Sequence, residues 1–120
     1  MNTPMTLNRR VLRIFFSILL ITGALGFRTP SGYRLMSGAA PYNIFHILFG
    51  LAGVGLSFWG SEGTVRAYNF TFGLIDLYQA LASFLHLFPE RYFLWTRADD
   101  MLHILIGTGL VAVALWRRSP

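Results

Sequence analysis

The sequence predicts an all-α protein, an integral membrane four-helix bundle built from two parallel-repeated helix pairs in one transmembrane domain over residues 1–120. Three observations carry this. Apolar residues make up 54% of the chain and charged residues 12%, roughly half the charged share of an ordinary soluble domain. Four apolar segments alternate with short polar stretches, and their lengths suit helices rather than the strands of about ten residues found in membrane barrels. The second and fourth segments also open on a shared phrase. With eleven Phe and a mean hydropathy of +0.52, too little polar surface remains to cover a small domain in water, and the bilayer is the natural solvent.

The first segment, 11–27, is interrupted only by Arg13 near its start, a side chain long enough to snorkel to the interface. Arg9 and Arg10 ahead of an apolar run ending near Gly26 also have the outline of a cleavable signal, which would leave three helices. A retained first helix is the reading carried forward. After the polar stretch 28–34, the second segment runs over 41–59 without a formal charge. Pro41 suits its first turn, where a missing N–H costs little. Residues 60–63 form a short turn, which implies antiparallel neighbours. The third segment, 65–87, contains Asp76 and ends at residues 88–91. The fourth covers 98–116, and Thr96 with Asp99 reads as a capping box at its start.

Charge sets an orientation. The ten cationic residues are all Arg and stand against five acids. Most border apolar stretches, where they can meet lipid headgroups, and no dense basic run points to nucleic acid. With both termini inside, the inner side holds Arg9, Arg10, Arg13, Arg66, Arg117 and Arg118, and the outer side Arg28, Arg34, Arg91 and Arg97. That bias favours cytoplasmic termini. Trp59 and Trp116 then mark the inner interface, Tyr92 and Trp95 the outer one. The absence of Cys removes disulfides, thiolate metal sites and cysteine nucleophiles.

The shared phrase is Asn43-Ile44-Phe45-His46-Ile47-Leu48-Phe49-Gly50 against Asp100-Met101-Leu102-His103-Ile104-Leu105-Ile106-Gly107, both of the form [N/D]-x-x-H-I-L-x-G. The two helices run the same way, as in a parallel repeat of helix pairs. With Arg66, Ala67 and Tyr68 opening the third segment and Phe88 and Pro89 after it, the chain resembles the bacterial four-helix membrane proteins described as domain of unknown function 4383. The resemblance covers most of the chain after the first helix. It implies a four-helix fold in a bacterial inner membrane, or a thylakoid or intracytoplasmic one, and brings no activity with it.

The polar residues of the segments are the candidate sites. At ~1.5 Å rise per residue His46 and His103 both lie roughly 7–9 Å from their helix starts. Asn43 and Asp100, nearly one turn earlier, face the same way. Two histidines at matched depth could ligate haem iron axially or chlorophyll magnesium singly, with Asn43 and Asp100 orienting the rings. The same geometry serves a hydrogen-bonded helix contact without any ligand, and a duplicated packing device would reappear in both halves. His86 falls near the same level, but its spacing matches no metal-ligand motif. Asp76, in mid-helix, is either an intramembrane functional carboxyl or a hydrogen-bonded register device, with Tyr68, Asn69, Thr71 and Gln79 as polar company. Gly50, Gly53 and Gly55, with Gly107 and Gly109, allow close helix approach.

No nucleophile–base set, paired carboxylates or phosphate loop supports catalysis. The sequence is read as a non-enzymatic membrane subunit or scaffold that packs on other membrane proteins of a larger complex, photosynthetic or respiratory, and requires no cofactor. A haem- or chlorophyll-binding carrier using His46 and His103, and a small transporter or proton conductor centred on Asp76, are the alternatives.

Overall fold

The computed structural model describes residues 5–30 and 35–116; Arg34, Arg117 and Arg118 of the charge comparison lie outside them. Among the described residues the chain is all-α, with no strand: α1 (Leu7–Gly26), α2 (Ala40–Trp59), α3 (Glu62–Leu85), the single-turn α4 (Glu90–Phe93) and α5 (Arg97–Leu115). By length and composition together, α2 and α5 are apolar enough to cross a membrane.

Helix starts follow their caps. The Thr6 side chain accepts the Arg9 N–H at 3.2 Å, so α1 begins well before residue 11. Arg9 and Arg13 therefore sit inside the helix, where they turn to the C-terminal end of α2 rather than to lipid headgroups. Arg9 donates to the carbonyls of Ser57 (2.8 Å) and Gly60 (2.7 Å) and pairs with Glu62 at 2.8 Å. Arg13 donates to the Ser57 carbonyl at 2.7 Å and lies over the Phe58 ring. The last carbonyls of a helix lack intrahelical partners and carry the negative end of its dipole, so a nearby guanidinium is drawn there. Ser61 caps α3 by accepting from Thr64, which shortens the expected four-residue turn to Gly60 and Ser61. At the other end α3 stops at Leu85, with His86 in the left-handed region at φ 57°. Part of the expected loop beyond it forms α4. The Thr96–Asp99 capping box forms at α5 as expected.

The helices associate as two pairs, α1 on α2 and α3 on α5. Small residues let each pair close up. A Cβ on Gly50 would fall 2.8 Å from the Leu20 backbone, and one on Gly107 would fall 2.8 Å from the Gly73 carbonyl and 2.9 Å from Leu77. Gly50 and Gly107 stand 57 positions apart, as do Leu20 and Leu77. Arg9 and Arg66 keep the same separation, and Arg66 donates to the carbonyl of Ala114, 57 positions beyond Ser57. Contacts thus extend the eight-residue phrase into a gapless repeat of the whole helix pair. Gly109, by contrast, faces open space, and a Cβ on Gly55 would meet only the Trp59 ring of its own helix at 3.9 Å.

Between the pairs the filling is aromatic. Phe15, Phe16, Phe45, Phe49 and Tyr68 surround Phe72 with ring centroids 4.9–6.5 Å away. Phe15 and Phe72 are repeat-equivalent and touch each other, which puts the repeat axis between them. Trp59 and Trp116, also equivalent, are both exposed at the C-terminal ends of their helices.

Candidate functional site

One turn of helix separates Tyr42 from His46, and one turn separates Asp99 from His103, so each pair shares a face. The two faces meet on the repeat axis. The Tyr42 ring lies 4.1 Å from that of His46, its hydroxyl donates to Asp99 Oδ1 at 3.1 Å, and the same hydroxyl is 2.7 Å from His103 Nε2. All four residues are at most 5% exposed. Asp99 is anchored from several sides: Oδ2 accepts the N–H groups of Ser37 and Thr96, both at 2.8 Å. The helix cap of α5 is therefore also the acceptor that ties the two repeats together.

From α3 comes Asp76, buried and accepting a 3.0 Å bond from the Gln79 amide. The Trp95 indole donates in turn to Gln79 at 3.1 Å. Asp76, Tyr42, His46, Asp99 and His103 line one cavity of about 180 Å³, together with Phe15, Leu19 and Ile106. A larger cleft of about 600 Å³, between α1 and α5, shares Thr22, Met36, His46 and Leu102 with that cavity. No Arg lines either space among the described residues. The His46 ring has no hydrogen-bond partner among the described residues, and His103 Nδ1 is buried without one.

His46 and His103 are thus brought together as their matched depth implies, with Tyr42 in contact with both. Asp76, read from the sequence as a separate feature, joins them, and Gln79 is the neighbour that holds it. Other expected partners are elsewhere. Asn43 donates to the Gly38 carbonyl at 3.0 Å and packs so tightly on Gly26 that a Cβ there would come within 2.2 Å of its Oδ1. Asp100 Oδ1 is buried and unpartnered. Neither bonds a histidine; one position earlier, Tyr42 bonds His103 and Asp99 accepts from Tyr42. His86 is exposed and pairs with Glu90 at 3.2 Å. No group of three or more His, Asp or Glu residues is arranged for a metal ion among the described residues. Trp95, expected at the outer interface, points inward to Gln79, while Tyr92 is exposed.

Tyr42 and Trp95 are the site residues that sequence reasoning missed. The signal for Tyr42 was present in the four-residue spacing to His46, which shares a helix face more closely than the three-residue spacing of Asn43. Chemically the arrangement offers hydrogen-bond donors and acceptors around a small, partly open space. Scans of protein-family models, curated proteins and solved structures each return no match to the chain.

Proposed function

We propose that the chain is an integral membrane protein whose α1, α2, α3 and α5 cross the bilayer, and that it serves as a non-enzymatic accessory or scaffold subunit of a larger membrane assembly. The observation that carries this reading is the outward face of the bundle. Between Arg10 and Arg28 the exposed side chains of α1 and its end are Ile14, Ile18, Ile21, Ala24, Leu25 and Phe27. Between Arg66 and His86 those of α3 are Ala67, Thr71, Leu74, Tyr78, Leu81, Phe84 and Leu85. The exposed faces of α2 and α5 are likewise uncharged between Ala40 and Trp59 and beyond Arg97. At ~1.5 Å per residue these uncharged intervals span roughly 27–30 Å, close to the ~30 Å hydrocarbon core.

Burial explains why α1 and α3 are less apolar overall. Their polar residues are engaged inside: Arg13 on Ser57, Asn69 on Asn8, Asp76 with Gln79. An exterior of large apolar side chains around a partly polar interior is the inverse of a water-soluble domain. The subunit role is supported by two open apolar surfaces. One is the α1–α5 cleft, the other a groove of about 590 Å³ lined by Pro41, Phe45, Ile75, Tyr78 and Tyr92. It is supported also by the apolar core beyond Asp76, formed by Phe72, Phe16, Leu12 and Leu110. The resemblance to the domain of unknown function 4383 proteins is part of this proposal and rests on the motif residues alone.

Solubilising native membranes in a mild detergent and isolating the chain tests the reading. Co-isolation of other membrane proteins in fixed stoichiometry is expected. Recovery in the aqueous fraction would remove the membrane reading, and recovery from membranes only as a free protein would remove the subunit role.

A further inference from the structure

We infer that the cavity on the repeat axis binds a neutral single-ring amphiphile carrying a ring hydroxyl, a quinol or alkylphenol, with the ring between His46 and His103 and its apolar substituent in the α1–α5 cleft. Size sets the first limit. A cavity of roughly 150 Å³ is enough to hold benzene, so about 180 Å³ takes one substituted six-membered ring. A tetrapyrrole is several rings wide and exceeds that space. The adjoining cleft of about 600 Å³ has the dimensions of a ligand pocket and a lining that is chiefly apolar.

Hydrogen bonding sets the second. Tyr42 has one hydroxyl proton and donates it to the Asp99 carboxylate. The 2.7 Å contact with His103 is then a bond donated by Nε2–H to the Tyr42 oxygen. In the neutral imidazole this leaves Nδ1 as a bare acceptor, and it is the buried atom without a partner. That atom is covered as well as unpartnered, so the acceptor open to a ring hydroxyl is the other histidine. His46 lines both the cavity and the cleft, has no hydrogen bond among the described residues, and meets the ring hydroxyl. Charge sets the third: the described lining of the cavity carries two carboxyls, Asp76 and Asp99, which disfavours an anionic head. The Asp99 carboxylate is already filled by Ser37, Thr96 and Tyr42, and Asp76 accepts from Gln79. The ring site depends on the cavity alone; delivery of the tail through lipid rests on the membrane reading.

The test is a calorimetric titration of the full chain with decylhydroquinone and with its dimethyl ether, in detergent and in phosphatidylcholine nanodiscs. Incorporation into nanodiscs is scored separately, so failure to enter a bilayer and failure to bind are read apart. Saturable one-to-one binding of the quinol is expected, with the ether about tenfold weaker because it offers His46 no proton. His46→Phe keeps the ring and breaks no internal bond, and should weaken quinol binding about tenfold. Thr22→Phe fills the wall shared by cleft and cavity and should abolish it, with the helical spectrum unchanged. Quinol and ether binding equally, uptake without saturation, or parental affinity in a folded His46→Phe or Thr22→Phe variant would overturn the assignment. If a variant does not fold, the quinol–ether comparison in the parent chain decides.

Discussion

Tyr42 and Asp99 occupy equivalent positions in the two repeats and bond to each other, Oη to Oδ1 at 3.1 Å. A pair of positions that a perfect repeat would fill identically has become one donor and one acceptor. That asymmetry joins the halves and leaves the two equivalent histidines in different states: His103 is bonded through Nε2, and His46 has no hydrogen bond among the described residues.

Tyr42→Phe removes the donor to Asp99 and the partner of His103 while keeping the ring. It is expected to cost about 1 kcal/mol of stability, the scale of an interhelical hydrogen bond. Asp99→Ala loses the cap, the Ser37 contact and the Tyr42 bond together, and should cost roughly 2–4 kcal/mol. Equilibrium unfolding in mixed detergent micelles measures both, and equal losses would contradict the placement of Asp99 at the junction.

The glycines separate into two classes that share one residue type. Gly50→Ala and Gly107→Ala force a methyl group to within 3 Å of a facing helix and should lower the thermal midpoint clearly. Gly109→Ala enters open space and should be neutral or stabilising by up to about 1 kcal/mol through helix propensity. Thermal melts of the three variants decide it.

Arg9 and Arg10 are neighbours with opposite roles. Arg9→Ala exposes the last carbonyls of α2 and frees Glu62, and should cost about 1–3 kcal/mol. Arg10 is exposed, and Arg10→Ala should change stability by less than about 0.5 kcal/mol. Arg9→Lys should recover little, because an ammonium cannot span carbonyls and carboxylate as the guanidinium fork does.

Topology can be read with introduced thiols, since the chain has no cysteine of its own. In sealed vesicles Gly63→Cys and Phe88→Cys, at opposite ends of α3, are expected to react with an impermeant maleimide from opposite sides. Labelling of both from one side would contradict a crossing α3.

Much of the fold was legible because it is written locally. Apolar runs, the Thr96–Asp99 box and Pro41 in the first turn of α2 each act within about one helical turn, so composition and spacing reveal them. The site was legible in part. Matched depth placed His46 and His103 at one level, and both line one cavity, because depth depends only on distance along a helix. The assignment of Asn43 and Asp100 as their partners failed because three residues of spacing leave side chains about 60° apart around the axis, and the packing selected the neighbouring positions.

The sequence by itself determined an all-α chain of long apolar helices, with a repeated phrase and its polar residues at defined depths. Only the tertiary structure decided that Arg9, Arg13 and Arg66 hold helix ends, that Gly50 and Gly107 are contact points while Gly109 is not, and that Asp76 shares a cavity with Tyr42, His46, Asp99 and His103. Each of those outcomes depends on how a helix is rotated about its own axis. That rotation is set by which small residues let a partner close in and where the aromatic rings around Phe72 must fit, a condition on all the helices at once rather than on any one segment.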